Sequence, residues 1–322
     1  MKALRLHQVG ELRLDEVTLP EPSPEETVVR VRYCALCRTD AKMWQKGQRD
    51  LVLPRVLGHE VSGIDLTSGR EVVVWPGATC GSCSFCIQGS ENLCPDIHIM
   101  GFNRDGGLAQ AMVVPKESLI PVPAGVSLRL ACLAEPLACC LNALHQIQTR
   151  PGDRILVFGA GPVGLLMGLA ARSFSARAFV VEKEPARLEQ SQVYLDRLGI
   201  PAGTQPSAKG FDAAINVCAA TDTLFSGLRS TRAGGSFCLF SGLPHEDTIT
   251  SDVVNEIHYR QLRVTGAYGC TRAQFHEALD IIRQHDRDIE LLVEGEITLE
   301  EVTGHLPRIA DGQALKILVR IE

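Results

Sequence analysis

The chain has 322 residues, 45% of them apolar and 22% charged, with a net charge of −6. That profile excludes a disordered polypeptide and leaves room for two domains, each with its own core. Charges of both signs are mixed along the sequence, so no basic or acidic block marks nucleic acid or an anionic membrane as a partner.

No apolar signal core follows Met1, which predicts a cytoplasmic protein. The first third, to about Pro123, reads as short β-rich runs broken by Gly and Pro, at 27–34, 71–75 and 109–114. Within it, Cys37-Arg38-Thr39-Asp40 and Gly58-His59-Glu60 place a thiol and an imidazole on separate segments. A soft thiolate and an imidazole gathered this way suit zinc with an open coordination position.

Cys80, Cys83, Cys86 and Cys94 follow as C-x2-C-x2-C-x7-C. Four thiolates so close suit a closed tetrahedral zinc with structural duty, because no position is left for substrate. An iron–sulfur cluster is the alternative for the same ligands. A zinc-ribbon nucleic-acid module would need Lys and Arg around the loop, which instead carries Glu91 and Asp96. The other thiols outside the Cys37 segment (Cys34, Cys132, Cys139, Cys140, Cys218, Cys238 and Cys270) sit in apolar strings and read as small buried groups.

The most apolar stretch, 128–144, is interrupted by Arg129, Glu135, Pro136 and Asn142 and falls short of a membrane span. Pro136 suits the first position of a helix, which would put Glu135 at its positive end. From there to about Gly266 strands and helices alternate, the pattern of a doubly wound parallel sheet. Strands are expected at 154–158, 177–181 and 237–241, and a helix at 185–198.

Between the first two of these strands lies Gly159-x-Gly161-x-x-Gly164, with Pro162 and Val163 at the expected helix start. Glycines there permit a tight turn and close approach of a pyrophosphate to the helix N-terminus. Glu182, at the end of the second strand, is placed to bind adenosine ribose hydroxyls and favour NAD over NADP, a choice that Lys183 and Arg187 could soften. The segment 199–211 is too short for a full crossover unit, and 60–79 leaves room for little more than a compact turn. A helix at 273–285 and a strand at 315–321 end the chain, and this tail is expected to rejoin the first domain.

Here the chain resembles the zinc-containing medium-chain dehydrogenase/reductase family. The resemblance rests on Gly58-His59-Glu60-x2-Gly63-x5-Gly69-x2-Val72, the four-cysteine loop and the glycine turn. It implies a GroES-like catalytic domain at 1–136 and 268–322, and a Rossmann domain at 137–267. It implies Cys37 and His59 as ligands of a catalytic zinc, Asp40 orienting His59, and Thr39 relaying the substrate proton. The third ligand stays open between Glu60 and Glu135, with Cys139 and Cys140 as fallbacks. Glu135-Pro136-Leu137 resembles the polyol, sorbitol dehydrogenase-like branch.

Lys42 stands where relatives often carry a histidine that ends the proton path. By the same resemblance Arg38 and Lys316 lie near the cofactor pyrophosphate, and Arg187 near the ribose. Met43, Trp44, Phe102 and Tyr268 are candidates for lining the substrate pocket. The expected activity is oxidation of a secondary alcohol of a small polyol, cyclitol or sugar derivative, with hydride passing to NAD, in a homodimer or homotetramer. A generic alcohol dehydrogenase is the runner-up, and a zinc-stabilised dinucleotide sensor the non-enzymatic alternative.

Overall fold

The computed structural model describes residues 1–322, which divide into two compact units, Met1–Ala138 with Cys270–Glu322, and Cys139–Gly269. Each boundary falls two residues beyond the expected one. No helix is long and apolar enough to cross a membrane.

The first unit is built on a seven-stranded sheet. Its long strand Glu26–Ala35 alternates inward and outward residues, burying Val29 and Val31, the pattern of a sheet with one face on a core. It pairs antiparallel with Glu60–Asp65, with Ala111–Pro115 and with Lys316–Arg320. The tail thus supplies a strand beside one from the start of the chain. Leu4, Leu6, Val61, Val72, Leu108, Met112 and Val319 fill the core.

The second unit holds a six-stranded, all-parallel sheet. Its spatial order is Ala202–Gly203, Arg177–Val181, Arg154–Phe158, Phe211–Asn216, Thr231–Leu239, Arg263–Gly266. In chain order that reads 3-2-1-4-5-6, the doubly wound arrangement whose switch point lies beside the first strand. The third strand has only two residues, and no helix separates it from the fourth, as the short 199–211 segment implied.

Local chemistry explains the element ends. The helix Pro185–Leu198 opens with proline at its start and closes at Gly199 in the left-handed conformation, φ 61°. The helix Arg272–Gln284 begins with a reciprocal pair, Thr271 bonded to the Gln274 N–H and Gln274 bonded back to the Thr271 N–H. Two expectations shift. The helix containing Glu135 is Ala134–Gln146, so Pro136 is not its first residue; proline is tolerated in the first turn because that N–H has no helical partner. The fifth Rossmann strand starts at Thr231, not 237, because a register irregularity absorbs the glycine-rich segment 232–235.

Candidate active site

The helix Arg38–Lys46 starts at Cys37, whose Sγ accepts a hydrogen bond from Thr39 N at 3.4 Å. Asp40, in the first turn and fully buried, reaches two segments at once. Its Oδ2 accepts from Cys37 N at 2.9 Å, and its Oδ1 accepts from Gly58 N at 3.1 Å. His59 Nδ1 lies 3.4 Å from the same Oδ1. One carboxylate therefore positions both ligand-bearing segments, and burial alone would not keep it charged. Burial pushes the Asp40 pKa up, but His59 and the two N–H groups bring it below the usual value.

Gly58 is required where it stands. Its φ is +94°, and an added Cβ would lie 2.7 Å from Cys34 Sγ and 2.9 Å from Leu108 N. The close approach of strands at this point sets His59 against the Arg38–Lys46 helix.

Cys37 Sγ, a His59 nitrogen and a Glu60 carboxylate oxygen lie within 4.8 Å of one another. The His59 pKa is raised well above its ordinary value: burial lowers it, and Asp40 and Cys37 more than offset that. His59 Nδ1 faces the Asp40 carboxylate at 3.4 Å, which leaves the other ring nitrogen as the one available to a metal. The donor set of thiol, imidazole and carboxylate completes the fit to a divalent zinc.

Glu60 has a second partner that the sequence did not reveal. Lys316, expected near the pyrophosphate or at a surface strand end, is instead buried, with Nζ 2.5 Å from both Glu60 oxygens. Burial raises the Glu60 pKa and Glu135 adds to it, while Lys316 opposes both. The Lys316 ammonium also donates to Leu36 O at 3.4 Å. Its charge is spent inside the first unit, which corrects the expected cofactor contact.

A Glu135 oxygen lies within 4.8 Å of Cys270 Sγ, in a ligand group separate from that of Cys37. Both carboxylates are thus placed by the fold, Glu60 beside Cys37 and His59, and Glu135 near enough to influence Glu60 electrostatically. Of the fallback thiols, Cys140 donates to Val163 O at 3.5 Å, and Cys139 is half-buried. Cys34 and Cys132 are buried, and their thiols are pushed up by desolvation.

Around the site, Thr39 is half-buried and Arg38 and Lys42 are exposed. Arg38 Nε donates to Ala310 O at 3.1 Å. The Lys42 pKa is lowered by partial desolvation and by the Arg38 charge. Phe102 packs edge-on against the His59 ring at 5.4 Å between centroids. Met43 is in the core of the first unit, which removes it as a pocket residue; Trp44 packs partly against that core, and Tyr268 is exposed in the second unit.

The four-cysteine lobe is equally specific. Sulfur–sulfur distances are 3.5 Å for Cys83–Cys86, 3.6 Å for Cys94–Cys80 and 4.0 Å for Cys80–Cys86. Four sulfurs about 2.3 Å from a tetrahedral zinc would be about 3.8 Å apart, so these thiols fit it. N–H groups of Ser82 and Cys83 hold the Cys80 thiol down at about 6. Arg272 ties the lobe down, with Nε 3.1 Å from Glu91 and its guanidinium over the Trp75 ring.

In the second unit the turn 159–161 leads into the helix Pro162–Ser173, whose N-cap Gly161 offers no side chain to its free N–H groups. A Cβ on Gly164 would lie 1.8 Å from Gly159 O, so only glycine permits that turn. Free N–H groups at a helix start with no side chain in the way fit a pyrophosphate. Glu182 is buried, its Oε2 accepting from Ala160 N and its Oε1 from Glu184 N, each at 3.0 Å.

The chain is similar to known proteins. Residues 23–124 match the alcohol dehydrogenase GroES-like domain. L-galactonate-5-dehydrogenase of Escherichia coli (strain K12) is 29% identical over 95% of this chain and 91% of its own length. Sorbitol dehydrogenase of Bacillus subtilis (strain 168) is 27% identical over 99% and 97%. A protein from Sinorhizobium meliloti 1021 designated a zinc-binding dehydrogenase, solved bound to NADP, superposes with a TM-score of 0.89 at 26% identity over 99% and 98%. The chain has the zinc-type medium-chain dehydrogenase/reductase fold, and fold and relatives together support a nicotinamide-dependent oxidoreductase. Within that class it closely resembles the polyol and sugar-alcohol dehydrogenases.

Proposed function

We propose that the protein oxidises a secondary alcohol of a small polyol, cyclitol or sugar derivative to a ketone, passing hydride to a nicotinamide dinucleotide. The observation that carries this reading is the convergence of Cys37, His59 and Glu60 on one buried point, with Glu135 close enough to act on Glu60. Zinc held by these residues would supply a Lewis acid for the substrate hydroxyl, and a bound nicotinamide dinucleotide would supply the hydride acceptor.

The chain's own groups do the rest. Asp40 fixes the Cys37 and Gly58-His59 segments by its two N–H bonds and so holds the ligand spacing. Thr39, half-buried beside Cys37, carries the hydroxyl proton toward exposed Lys42 and solvent. Phe102 covers one side of His59 and excludes water from it. Cys80, Cys83, Cys86 and Cys94 would hold a second, structural zinc.

Homo-oligomer formation is part of the proposal. The edge strand Arg263–Gly266 has a free side and an exposed Val264, with Tyr259 exposed nearby in sequence, features of a strand that pairs with another copy.

Zinc content of the purified chain and of Glu135→Ala, with dinucleotide reduction on a panel of polyols and simple alcohols, tests the reading. About two zincs per chain with polyol activity, falling to one with activity lost in the variant, is the expected result. One zinc in the parent chain and no turnover of any alcohol would refute it and leave a zinc-stabilised dinucleotide binder.

A further inference from the structure

The carboxyl edge of the parallel sheet, where doubly wound folds bind their ligands, holds a buried amide. Asn216 is the last residue of the strand Phe211–Asn216, which pairs with Arg154–Phe158 on one side and with Thr231–Leu239 on the other. It is fully buried. Its Oδ1 accepts from Phe240 N at 2.8 Å and from Ser241 N at 3.3 Å. Its Nδ2 donates to Ser241 O at 3.0 Å and to Cys218 O at 3.4 Å. One side chain therefore ties the loop after the fourth strand to the loop after the fifth.

The next residue carries this clasp to the glycine turn. Val217 N donates to Phe158 O at 3.0 Å. Val217 Cγ2 stands so close to the turn that a Cβ on Gly159 would lie 3.2 Å from it, and one on Gly164 3.1 Å. In an interior packed this tightly a shift of one group is felt by the other. The amide is also specific to its place. Oδ1 meets two N–H groups and Nδ2 meets two carbonyls, so both halves of the side chain are used. A carboxylate of the same shape only accepts, and would set a negative oxygen against two carbonyl oxygens.

We propose that Asn216 is a positioning residue of the dinucleotide site: its amide holds the loops after the fourth and fifth strands, and through Val217 the glycine turn, in the geometry that receives the nucleotide. The proposal rests on the reading of Gly159–Gly164 as a dinucleotide turn. The residues paired or bonded with Asn216 (Phe158, Cys218, Leu239, Phe240 and Ser241) include no charged side chain, and the Cys218 thiol is the one titratable group among them. A carboxyl placed at 216 is thus without a countercharge among these neighbours, and burial beside two carbonyls favours its protonated form. That form has one O–H to donate and restores one of the two lost bonds.

Equilibrium binding of NADH to the purified, metal-loaded protein, followed by calorimetry well below each protein's melting midpoint, tests this without turnover. Asn216→Asp should weaken NADH by about tenfold or more relative to the parent at about pH 9, and by no more than about threefold at about pH 6. Asn216→Ala, which has neither donor nor acceptor, should weaken it by a similar factor at both. The Asp variant differs from itself across this range by one added proton, so its recovery at low pH shows that the fold is intact. A role confined to stability would lower the melting midpoint of the variants and leave the affinity of the folded protein unchanged. An Asp-to-parent affinity ratio that stays flat with pH, or variants that bind NADH as tightly as the parent, would overturn the proposal while leaving the dinucleotide site standing. A parent protein that binds no NADH would refute the dinucleotide reading and this inference with it.

Discussion

At the scale of single residues, the Glu60–Lys316 pair is the most consequential contact. Both side chains are nearly inaccessible, and each is the other's principal countercharge. Removing one member of a buried pair leaves the other charged and unsolvated, at a cost of about 3–5 kcal/mol. Lys316→Met is therefore expected to lower the unfolding free energy by that amount in urea titration. The double variant Lys316→Met with Glu60→Gln should recover a large share, since a neutral amide tolerates burial better than a lone carboxylate. A single variant as stable as the parent would show that Glu60 finds another partner in solution. Sequence could not reveal this pair, because its members are 256 positions apart and neither lies in a pattern that names the other.

At the scale of elements, the strand Glu26–Ala35 starts at a turn whose charge matters. Ser23 N donates to Glu26 Oε2, and the Arg104 guanidinium engages the other oxygen. Those contacts, led by the Ser23 bond, lower the Glu26 pKa to about 2. The sign follows from the depression: the folded state gains stability above the unfolded pKa and loses it as pH falls from about 4.5 to about 2. Arg104→Met should remove part of that gain, about 1 kcal/mol near neutrality, with the two proteins converging toward pH 2. Urea unfolding between neutral and acid pH measures this, and a difference independent of pH would contradict it.

Element boundaries were legible where local chemistry marks them. Strands Arg154–Phe158 and Arg177–Val181 and helix Pro185–Leu198 lie where expected. Continuous apolar runs, an opening proline and a closing glycine leave few alternatives. The start of Thr231–Leu239 was not legible, because a strand that absorbs Gly234 and Gly235 through an irregular register looks like a loop in sequence. Of the candidate site, the cysteine lobe and the Cys37 and His59 segments could be read from spacing. Phe102 against His59 and the inward turn of Glu182 could not, since both depend on how distant strands settle.

At the scale of the whole molecule, the two ligand sets differ in how local they are. The four lobe cysteines fall within one short loop, whereas Cys37 comes from one stretch of chain and His59 with Glu60 from another. A chelator titrated into the zinc-loaded protein is expected to remove metal in two distinguishable stages. Loss from the Cys37 site should leave the circular dichroism of the fold unchanged, while loss from the cysteine lobe should lower thermal stability, because structural zinc contributes directly to folding. Simultaneous release of both metals with a single unfolding transition would contradict that separation.

The strand Lys316–Arg320 lies antiparallel against Glu26–Ala35 in the first unit and brings Lys316 to Glu60. During synthesis the ribosome delivers that strand some 280 residues after its neighbour Leu36, whose carbonyl Lys316 bonds. The intervening Cys139–Gly269 unit is complete and free to fold long before then. Until that strand arrives, Glu60 lacks its Lys316 partner and residues 33–35 of the strand Glu26–Ala35 lack their pairing on that side.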